Sequence, residues 1–303
     1  MSQQRHILVV SHAAHEATLE AAVSVLRLLA AQGVTPVVRD VELQPVVEAA
    51  PELASLAVLE RDVAIADIES AIVVGGDGTI LRAAELLRGA KAPLLGVNLG
   101  HVGFLAETER DTLPQAVARV VAREYTVEER MTLSVKVLDG AKVVYETWAL
   151  NEATVEKASR ERMLEVVVEV DERPLSSFGC DGVIMSTPTG STAYSFSAGG
   201  PVVWPTVDAL LLVPMSAHAL FARPLVVSPD STLAVEILQR RSGHGVLWCD
   251  GRRTRNLPPG ARVVVQRSDV PVLLAHIHEA VFTDRLVDKF DLPVMGWRGP
   301  AAP

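Results

Sequence analysis

The 303-residue sequence has little cysteine, no block of basic residues and no long uninterrupted apolar run. Its cysteines, Cys180 and Cys249, lack the CxxC spacing of a zinc site, and a chain of this size needs no disulfide framework, so a reducing cytoplasm is expected. The net charge of -9 and the scattered Lys and Arg residues argue against a nucleic-acid-binding protein. The longest apolar region, 202–227, is interrupted by proline and charged residues, which argues against a membrane span.

Two common phosphate-binding motifs are absent as well. The chain contains no GxxxxGK[ST] sequence, and its first strand–helix junction, 11–17, lacks the GxGxxG of a standard dinucleotide fold. An anionic ligand would therefore be held by a few arginines, by backbone N–H groups or by a metal ion. With 49% hydrophobic and 21% charged residues the composition is ordinary for a globular protein, and the length predicts two domains or one large one.

The first part of the chain alternates between helical and strand-like hydrophobic patterns. Apolar residues at helical spacing predict helices over 15–31 and 79–88, with a polar, proline-marked stretch at 40–67 between them. Short buried strands are predicted at residues 6–10, 34–38, 71–74 and 94–97. Such alternation is typical of a parallel sheet covered on both faces, so residues 1–125 are predicted to form an α/β domain.

The pattern changes near Tyr125. Two strand-like runs flank Asp139-Gly140, a strong hairpin signal, and helical spacing is nearly absent afterwards. Residues 126–278 are therefore predicted to form an all-β, sandwich-like domain. Its predicted strands are 133–138, 142–148, 164–170, 183–186, 232–238, 246–249, 262–266 and 272–276. A last helix is predicted over 279–290, and because it must bury its apolar face, the segment 279–303 is expected to return to the N-terminal domain.

A glycine-rich turn, Gly75-Gly76-Asp77-Gly78-Thr79, joins a predicted strand to a predicted helix. Adjacent glycines let backbone N–H groups approach a ligand, and the helix N-terminus adds a partial positive charge, which together make a phosphate cradle. A carboxylate inside that cradle fits a group that holds a metal or accepts a proton from an attacking hydroxyl. The alternative is a structural turn capped by Asp77 or Thr79.

Two further segments carry side chains suited to a nucleotide. The sequence NLGHVGFL, 98–105, follows a predicted strand at the edge where open α/β sheets place ligands. Phe104 in this loop has two equal interpretations, a ring that stacks on a base or an anchor in the core. Asn151-Glu152 can hold vicinal ribose hydroxyls, although by itself the pair is better explained as a polar turn.

The stretch 181–201, DGVIMSTPTGSTAYSFSAGGP, places small hydroxyl residues between glycines. Such a stretch would make a poor core, and long loops of this kind are usually functional because a ligand can lie close to the backbone. Asp250-Gly251 is interpreted as a hairpin turn. The pairs His12/His15 and His276/His278 are interpreted as structural or solvated, because no third metal ligand is evident near either.

Taken together, these segments resemble the NAD kinase family. GGDGT at 75, NLGHVGFL at 98, NE at 151, the 21-residue stretch from 181 and DG at 250 follow the family's order and rough spacing over nearly the whole chain. The GGDG turn is shared with diacylglycerol and sphingosine kinases and with related phosphofructokinases, whereas TPTGSTAYSFSAGGP distinguishes NAD kinases. The closing LPVMGW, 292–297, is similar to actinobacterial members.

The resemblance implies an enzyme that phosphorylates the 2′-hydroxyl of the adenosine ribose of NAD, with Asp77 as the acceptor of that hydroxyl's proton. Gly75 and Gly76 would lie against the phosphoryl donor. The other implied nucleotide-binding residues are Gly78 and Arg82 beside Asp77, Asn151 and Glu152 at the adenosine portion, Arg162 near the dinucleotide phosphates, and Asp181 with Thr192, Ala193, Tyr194, Ser195, Phe196 and Ser197 along the remainder. No protein residue is assigned as a dedicated metal ligand.

The resemblance further implies ATP or polyphosphate as donor, a divalent cation with Mg²⁺ expected, and a cytoplasmic homodimer or homotetramer. Two alternatives stay open. The chain could be a lipid or metabolite kinase that shares only the GGDG turn, or a non-catalytic NAD(P)-sensing module. The intact Asp77 and Asn151-Glu152 argue against the second alternative.

Overall fold

The computed structural model describes residues 4–12, 15–98, 103–106, 113–160, 162–239, 243–278 and 281–294. It divides the chain into two compact units, one of residues 1–129 with 272–303 and the other of residues 130–271. Among the described residues, no helix is both long and apolar enough to cross a membrane.

The elements of the first part of the chain are β1 (His6–Ser11), α1 (Glu16–Ala31), β2 (Thr35–Val38), α2 (Asp40–Ala49), β3 (Ala57–Val58), β4 (Ile68–Val74), α3 (Asp77–Leu86), β5 (Leu94–Val97), α4 (Leu113–Ala122) and β6 (Thr126–Arg130). Those of the middle part are β7 (Leu133–Asp139), β8 (Lys142–Ala149), β9 (Glu152–Lys157), β10 (Leu164–Val170), β11 (Arg173–Cys180), β12 (Gly182–Ser186), α5 (Tyr194–Ser197), β13 (Leu210–Met215), β14 (Leu225–Val227), β15 (Leu233–Ile237), β16 (Gly245–Cys249), β17 (Arg253–Leu257) and β18 (Ala261–Arg267). The chain then continues with β19 (Val272–His276) and α6 (Phe282–Phe290).

A largely parallel sheet organises the first unit, with its described strands in the order β3-β2-β1-β4-β5-β19-β6. Helices α1 and α4 share a core with alternate residues of the strands, such as Leu95 and Val97 of β5. Helix α3 covers the opposite face, where Ile80 lies against Gly96. The predicted α/β architecture is therefore confirmed. Because β1 is flanked by β2 and β4, the change of strand order falls beside the C-terminal ends of β1 and β4, which is where such sheets place ligands.

The second unit is a sandwich of two antiparallel sheets, as predicted. Their described strands have the orders β11-β10-β15-β18-β7-β8 and β14-β13-β12-β9-β16-β17. Side chains from both sheets form one buried core, to which β9 contributes Ala153 and Val155. Since side chains alternate along a strand, Glu152, Thr154 and Glu156 lie on the outer face of the second sheet.

Some elements differ from the sequence expectations. Strands β6 and β19, both predicted within the β domain, belong to the sheet of the first unit, where β19 pairs in parallel with β5. The compact units therefore divide at 129 and 272, where the predicted boundaries were 125 and 278. A short apolar run has the same local pattern in either sheet, and only its pairing partner decides its place. The polar stretch after β2 contains the helix α2, which carries Asp40 and Glu42 in its first turn. This helix forms although Pro45 lies in its interior.

Helix α6 returns to the first unit, as expected. The rings of Phe282 and Phe290 pack against Phe104, with centroids 6.0 and 5.8 Å from its ring. The Arg285 guanidinium donates a hydrogen bond of 2.7 Å to the Phe104 carbonyl oxygen. These contacts bury the apolar face that was expected to pack against the N-terminal domain. The flanking residues 279–280 and 295–303 lie outside the described residues.

Candidate functional site

The glycine-rich turn is a tight connection between β4 and α3. Gly75 has φ +146°, and its N–H donates to the Val97 carbonyl oxygen at 2.9 Å. A Cβ at this position would lie 2.6 Å from Oγ1 of Thr79, so glycine is required both by conformation and by space. Gly76 and Gly78 have no atoms near a hypothetical Cβ, which leaves their side of the turn open. Open backbone N–H groups at a helix N-terminus are the physical basis of a phosphate site.

Asp77 is the first residue of α3, and its carboxylate is held in a fixed position. Its Oδ2 accepts the Phe104 N–H at 3.0 Å, and its Oδ1 accepts the Leu105 N–H at 3.1 Å. Gly103 lies so close that a Cβ there would overlap Oδ1. Each carboxylate oxygen keeps a further lone pair, so Asp77 can also accept a hydrogen bond from a substrate hydroxyl. The structure thus brings together the GGDG turn and the end of the NLGHVGFL segment, whose residues 99–102 lie outside the described residues.

Phe104 contributes to this arrangement through its backbone. Its side chain is buried between Phe282 and Phe290, its N–H holds Asp77, and its carbonyl oxygen accepts Arg285. This packing favours the interpretation of Phe104 as a core anchor, while stacking on a base stays a prediction. Helix α6 therefore supports the loop that positions Asp77, a connection between distant parts of the sequence that no local pattern indicated.

The Asn151-Glu152 pair lies in the second unit, where β8 ends and β9 begins. Both residues are buried, and their backbone is held by the carboxylate of Asp250. Oδ1 of Asp250 accepts the Asn151 N–H at 2.7 Å and the Glu152 N–H at 3.4 Å, while Oδ2 accepts the Leu150 N–H at 2.9 Å. The pair is consequently a rigid feature of the fold, unlike an ordinary exposed polar turn.

Glu152 is a buried carboxyl group with unused hydrogen-bonding capacity. It faces Ser186 across β9 and β12, and it accepts a hydrogen bond from the Tyr194 backbone N–H. Within the described residues, Oε2 of Glu152 and the hydroxyl oxygen of Ser186 are buried without a partner. Burial, and then the nearby charge of Asp250, raise the pKa of Glu152 to about 8. Such a group, with an oxygen free to bond, is a candidate for binding a hydroxyl-bearing ligand.

The 181–201 stretch folds against this pair. Gly190 approaches Asn151 so closely that a Cβ would overlap the Asn151 carbonyl oxygen, and the Gly190 N–H donates to Oγ1 of Thr187 at 3.1 Å. Oγ1 of Thr187 in turn donates to the Leu150 carbonyl oxygen at 2.6 Å. The helical turn α5 follows. Ser195 is buried in it, while Tyr194, Phe196 and Ser197 are exposed and Thr192 and Ala193 are half-buried.

The remaining predicted residues are less enclosed. Asp181 forms an ion pair of 2.5 Å with Lys157, and hydrogen bonding to that lysine lowers the pKa of the Asp181 carboxyl. Arg82 is half-buried on α3, one and a half turns after Asp77, and Arg162 is exposed in the loop before β10. Sequence analysis missed the anchoring role of Asp250: the hairpin turn was predicted correctly, but the local sequence does not show that its carboxylate is buried.

The chain is similar to known proteins over nearly its whole length. Residues 7–125 match the model of the ATP-NAD kinase N-terminal domain, and residues 150–277 match that of the ATP-NAD kinase C-terminal domain. The chain is 68% identical over 300 residues to an NAD kinase of Leifsonia xyli subsp. xyli, covering 99% of each chain. It is 55% identical over 303 residues to an NAD kinase of Thermobifida fusca, covering 98% of this chain and 93% of that one.

Two solved structures share the fold. Yeast NADH kinase in complex with NADH superimposes with a TM-score of 0.86 at 21% identity, covering 97% of this chain and 89% of that one. An Archaeoglobus fulgidus NAD kinase in complex with ATP gives 0.71 at 23% identity, covering 96% and 100%.

The fold, the glycine-rich turn and the family matches define the class of the chain as a two-domain phosphotransferase. More particularly, the chain belongs to the NAD kinase family. The match over 150–277 rules out the alternative in which only the GGDG turn is shared with other kinases.

Proposed function

We propose that the chain transfers the terminal phosphoryl group of ATP, or of polyphosphate, to the 2′-hydroxyl of the adenosine ribose of NAD and so produces NADP. The observation that carries this proposal is the buried Asn151-Glu152 pair, with its backbone held by Asp250 and one Glu152 oxygen free to bond. The complexes of the two structural neighbours, one with NADH and one with ATP, support a dinucleotide acceptor and a nucleotide donor.

The acceptor is held by the second unit. Asn151 and Glu152 bind the adenosine ribose through its hydroxyls, and the exposed rings of Tyr194 and Phe196 provide apolar surface for the rest of the dinucleotide. Thr192, Ala193, Ser195 and Ser197 line the same run, and Asp181 and Arg162 lie further out along the ligand. A fixed backbone at 151–152 means that the ribose meets hydrogen-bonding groups that need little rearrangement, which is the basis of precise orientation.

The donor phosphates lie against the glycine-rich turn of the first unit. Backbone N–H groups at Gly76 and Gly78 and the N-terminal dipole of α3 stabilise their negative charge, and Arg82 adds a positive charge on the same helix. Asp77 accepts a hydrogen bond from the 2′-hydroxyl and takes its proton. A carboxylate is a weak base, but a loose phosphoryl-transfer transition state depends mainly on position and on charge neutralisation.

The proposed reaction uses a divalent cation, with Mg²⁺ expected. Mg²⁺ usually binds through substrate phosphates and one or two carboxylates, and Asp77 is the carboxylate of the turn. In the described part of the chain, no group of three or more His, Cys, Asp or Glu side chains could hold a metal ion. Asp77 fits a cation that is bound chiefly through the donor, where the cation would neutralise phosphate charge.

The product of the reaction tests the proposal directly. Purified protein incubated with NAD, ATP and Mg²⁺ should yield a dinucleotide whose phosphorus NMR spectrum shows a 2′-phosphate and which serves a strictly NADP-dependent dehydrogenase. Excess EDTA should abolish the reaction, and a parallel reaction with polyphosphate will define the donor range. Phosphate on a 3′-hydroxyl, on the nicotinamide ribose or on no part of NAD would contradict the proposal, the last outcome being that expected of a sensing module.

Glu152→Gln should separate the two substrates. The variant keeps the shape of the side chain but replaces an oxygen acceptor with a donor, so we expect the KM for NAD to rise roughly tenfold or more. The KM for ATP should change by less than about twofold. Steady-state kinetics with each substrate varied in turn measures both constants, and equal effects on the two would mean that Glu152 contacts the donor instead.

Stability and a neighbouring variant serve as controls for this result. Folding raises the pKa of Glu152 from 4.5 to about 8, so between these two pH values the folded state binds more protons than the unfolded state. The free energy of unfolding therefore falls as pH rises through this range. Glu152→Gln should therefore be no less stable than the parent at pH 8. Glu156→Gln removes a charge from the same strand and face, and it should alter the KM for NAD by less than about threefold.

The proposed assembly is a homodimer or homotetramer in the cytoplasm. The second unit exposes several large apolar side chains, among them the consecutive Leu220 and Phe221, which a partner subunit would cover. Both cysteines are free thiols, in keeping with a reducing compartment. Light scattering should give a dimer or tetramer, with part of the 192–197 run close to a neighbouring subunit. A monomer that keeps full activity at every assay concentration would contradict this assembly.

A further inference from the structure

We propose that Asp250 is a positioning residue for NAD binding, which fixes the Asn151-Glu152 backbone and, as a second buried carboxylate, controls the ionisation of Glu152. The inference rests on the proposed contact between Glu152 and the adenosine ribose. It extends that function to a residue whose place in the sequence indicates only a turn.

The geometry around Asp250 is unusual for a hairpin turn. Asp250 and Gly251 join β16 to β17 with φ of 52° and 62°, the conformation of a tight turn whose side chains usually face water. Here the Asp250 side chain is buried and accepts hydrogen bonds from three consecutive backbone N–H groups, 150–152. A neutral turn residue such as asparagine would satisfy only some of these donors, so the arrangement requires a carboxylate.

Arg253 completes the anchor from the other side of the hairpin. Its guanidinium donates to Oδ2 of Asp250 at 2.8 Å and to the Trp148 carbonyl oxygen at 2.8 Å, and it lies 4.6 Å from the centroid of a Trp148 ring. Asp250 therefore has four hydrogen-bond donors, one of them a cation. A carboxylate with so many donors keeps its negative charge even when it is buried.

Glu152 is less well compensated. Its carboxyl group accepts the Tyr194 N–H, and the acidic groups facing it are Asp250 on the hairpin and Glu156 on its own strand. The other titratable groups that interact with this pair are Tyr194 on α5, Cys249 on β16 and Arg253 on β17. Burial raises the pKa of Asp250 as well, but the backbone N–H groups and Arg253 oppose that shift, whereas only the Tyr194 N–H opposes the shift of Glu152. The proton of the buried pair therefore resides on Glu152. This agrees with the raised pKa of Glu152, for which burial is the first cause and Asp250 the second.

The consequence is a pH-dependent acceptor site. An ionised Glu152 can accept hydrogen bonds on both oxygens, and charge-assisted bonds are the stronger ones, so NAD binding favours the ionised form. The value of kcat/KM for NAD should therefore rise with pH through a midpoint near 8. Removing the charge of Asp250 should move that midpoint down, and removing the counter-charge of Arg253 should move it up.

The test compares Asp250→Asn with Arg253→Gln in the full-length protein. Without NAD, carbon-13 NMR of protein labelled at the glutamate carboxyl carbons, with Glu152→Gln to assign the resonance, gives the ionisation midpoint of Glu152. We expect it to fall by roughly one unit in Asp250→Asn and to rise in Arg253→Gln. A merely structural role would loosen the site in both variants and lower the midpoint in both, so the opposite signs are diagnostic.

Kinetics then connects this coupling to NAD. The pH profile of kcat/KM for NAD should shift in the same direction as the NMR midpoint in each variant, while kcat at saturating NAD changes much less. An unchanged NMR midpoint, or a fall in both variants, would overturn the control of Glu152 by Asp250. Shifted NMR midpoints with unshifted NAD profiles would instead refute the contact between Glu152 and the ribose. If Asp250→Asn does not fold, the rise expected in Arg253→Gln alone decides the question.

Discussion

Replacing Asp77 with Asn should lower kcat by roughly 100-fold or more, the scale of general-base removal, while NAD still binds. The change removes the negative charge and nearly all proton affinity from the only carboxylate of the GGDG turn. It also replaces one oxygen, which accepts the Phe104 or Leu105 N–H, by a donor. Steady-state kinetics gives kcat, and titration calorimetry with NAD gives the affinity.

Two comparisons isolate the chemical part of this effect. Glu85→Gln removes a charge from the same helix, and its kcat should stay within about threefold of the parent. Gly103→Ala leaves Asp77 charged but displaces it, because a Cβ at 103 would overlap the carboxylate. We expect Gly103→Ala to lose less kcat than Asp77→Asn. Near-parental turnover in a clean Asp77→Asn preparation would rule out its role as the proton acceptor.

Gly190→Ala should both destabilise the second unit and disable NAD binding. The new Cβ would overlap the carbonyl oxygen and carbon of Asn151, and both partners are backbone, so the 189–197 segment or the Asn151-Glu152 turn must move. Overpacking of this kind costs about 1–3 kcal/mol of unfolding free energy. Because the displaced groups are those proposed to bind the ribose, we expect the KM for NAD to rise at least tenfold, by analogy with losses from small misplacements.

Gly243→Ala is a matched control for this variant. The same methyl group at 243 would meet Cβ of Arg162 at 3.9 Å, an ordinary van der Waals contact, so neither stability nor NAD kinetics should change appreciably. Urea denaturation followed by fluorescence gives the free energy of unfolding, and kinetics gives the KM. If Gly190→Ala has the same stability and the same KM for NAD as Gly243→Ala, the close packing of Gly190 on Asn151 does not maintain the acceptor site.

Much of the architecture is contained in local patterns of the sequence. The helix predicted at 15–31 and the hairpin around Asp139-Gly140 are present as α1 and as β7 with β8. Both are short-range features, because periodicity and turn residues specify them without reference to distant parts of the chain. The same holds for the turn at 75–79, where two glycines and a following helix are sufficient to indicate the connection.

Other features depend on contacts between distant residues. Strand β19 has the composition of any buried strand, and only pairing with β5 assigns it to the first unit. Phe104 lies beside the glycine-rich turn, and its ring packs against Phe282 of α6. In the sequence, Phe282 comes 178 residues after Phe104. Asp250 and Asn151 are separated by 99 residues, so no local pattern could show that one carboxylate orders the other segment.

The sequence by itself determined the two-part architecture, the glycine-rich turn and the segments proposed to carry the chemistry, because glycine conformation, hydrophobic period and motif order are local properties. The tertiary structure alone decided which groups are charged, buried and held. Asp77 is fixed by two amides of a loop supported by α6, and Glu152 is buried beside the charge of Asp250. Burial and long-range hydrogen bonding are properties of the folded chain, and they set the position and the ionisation of the groups proposed to act.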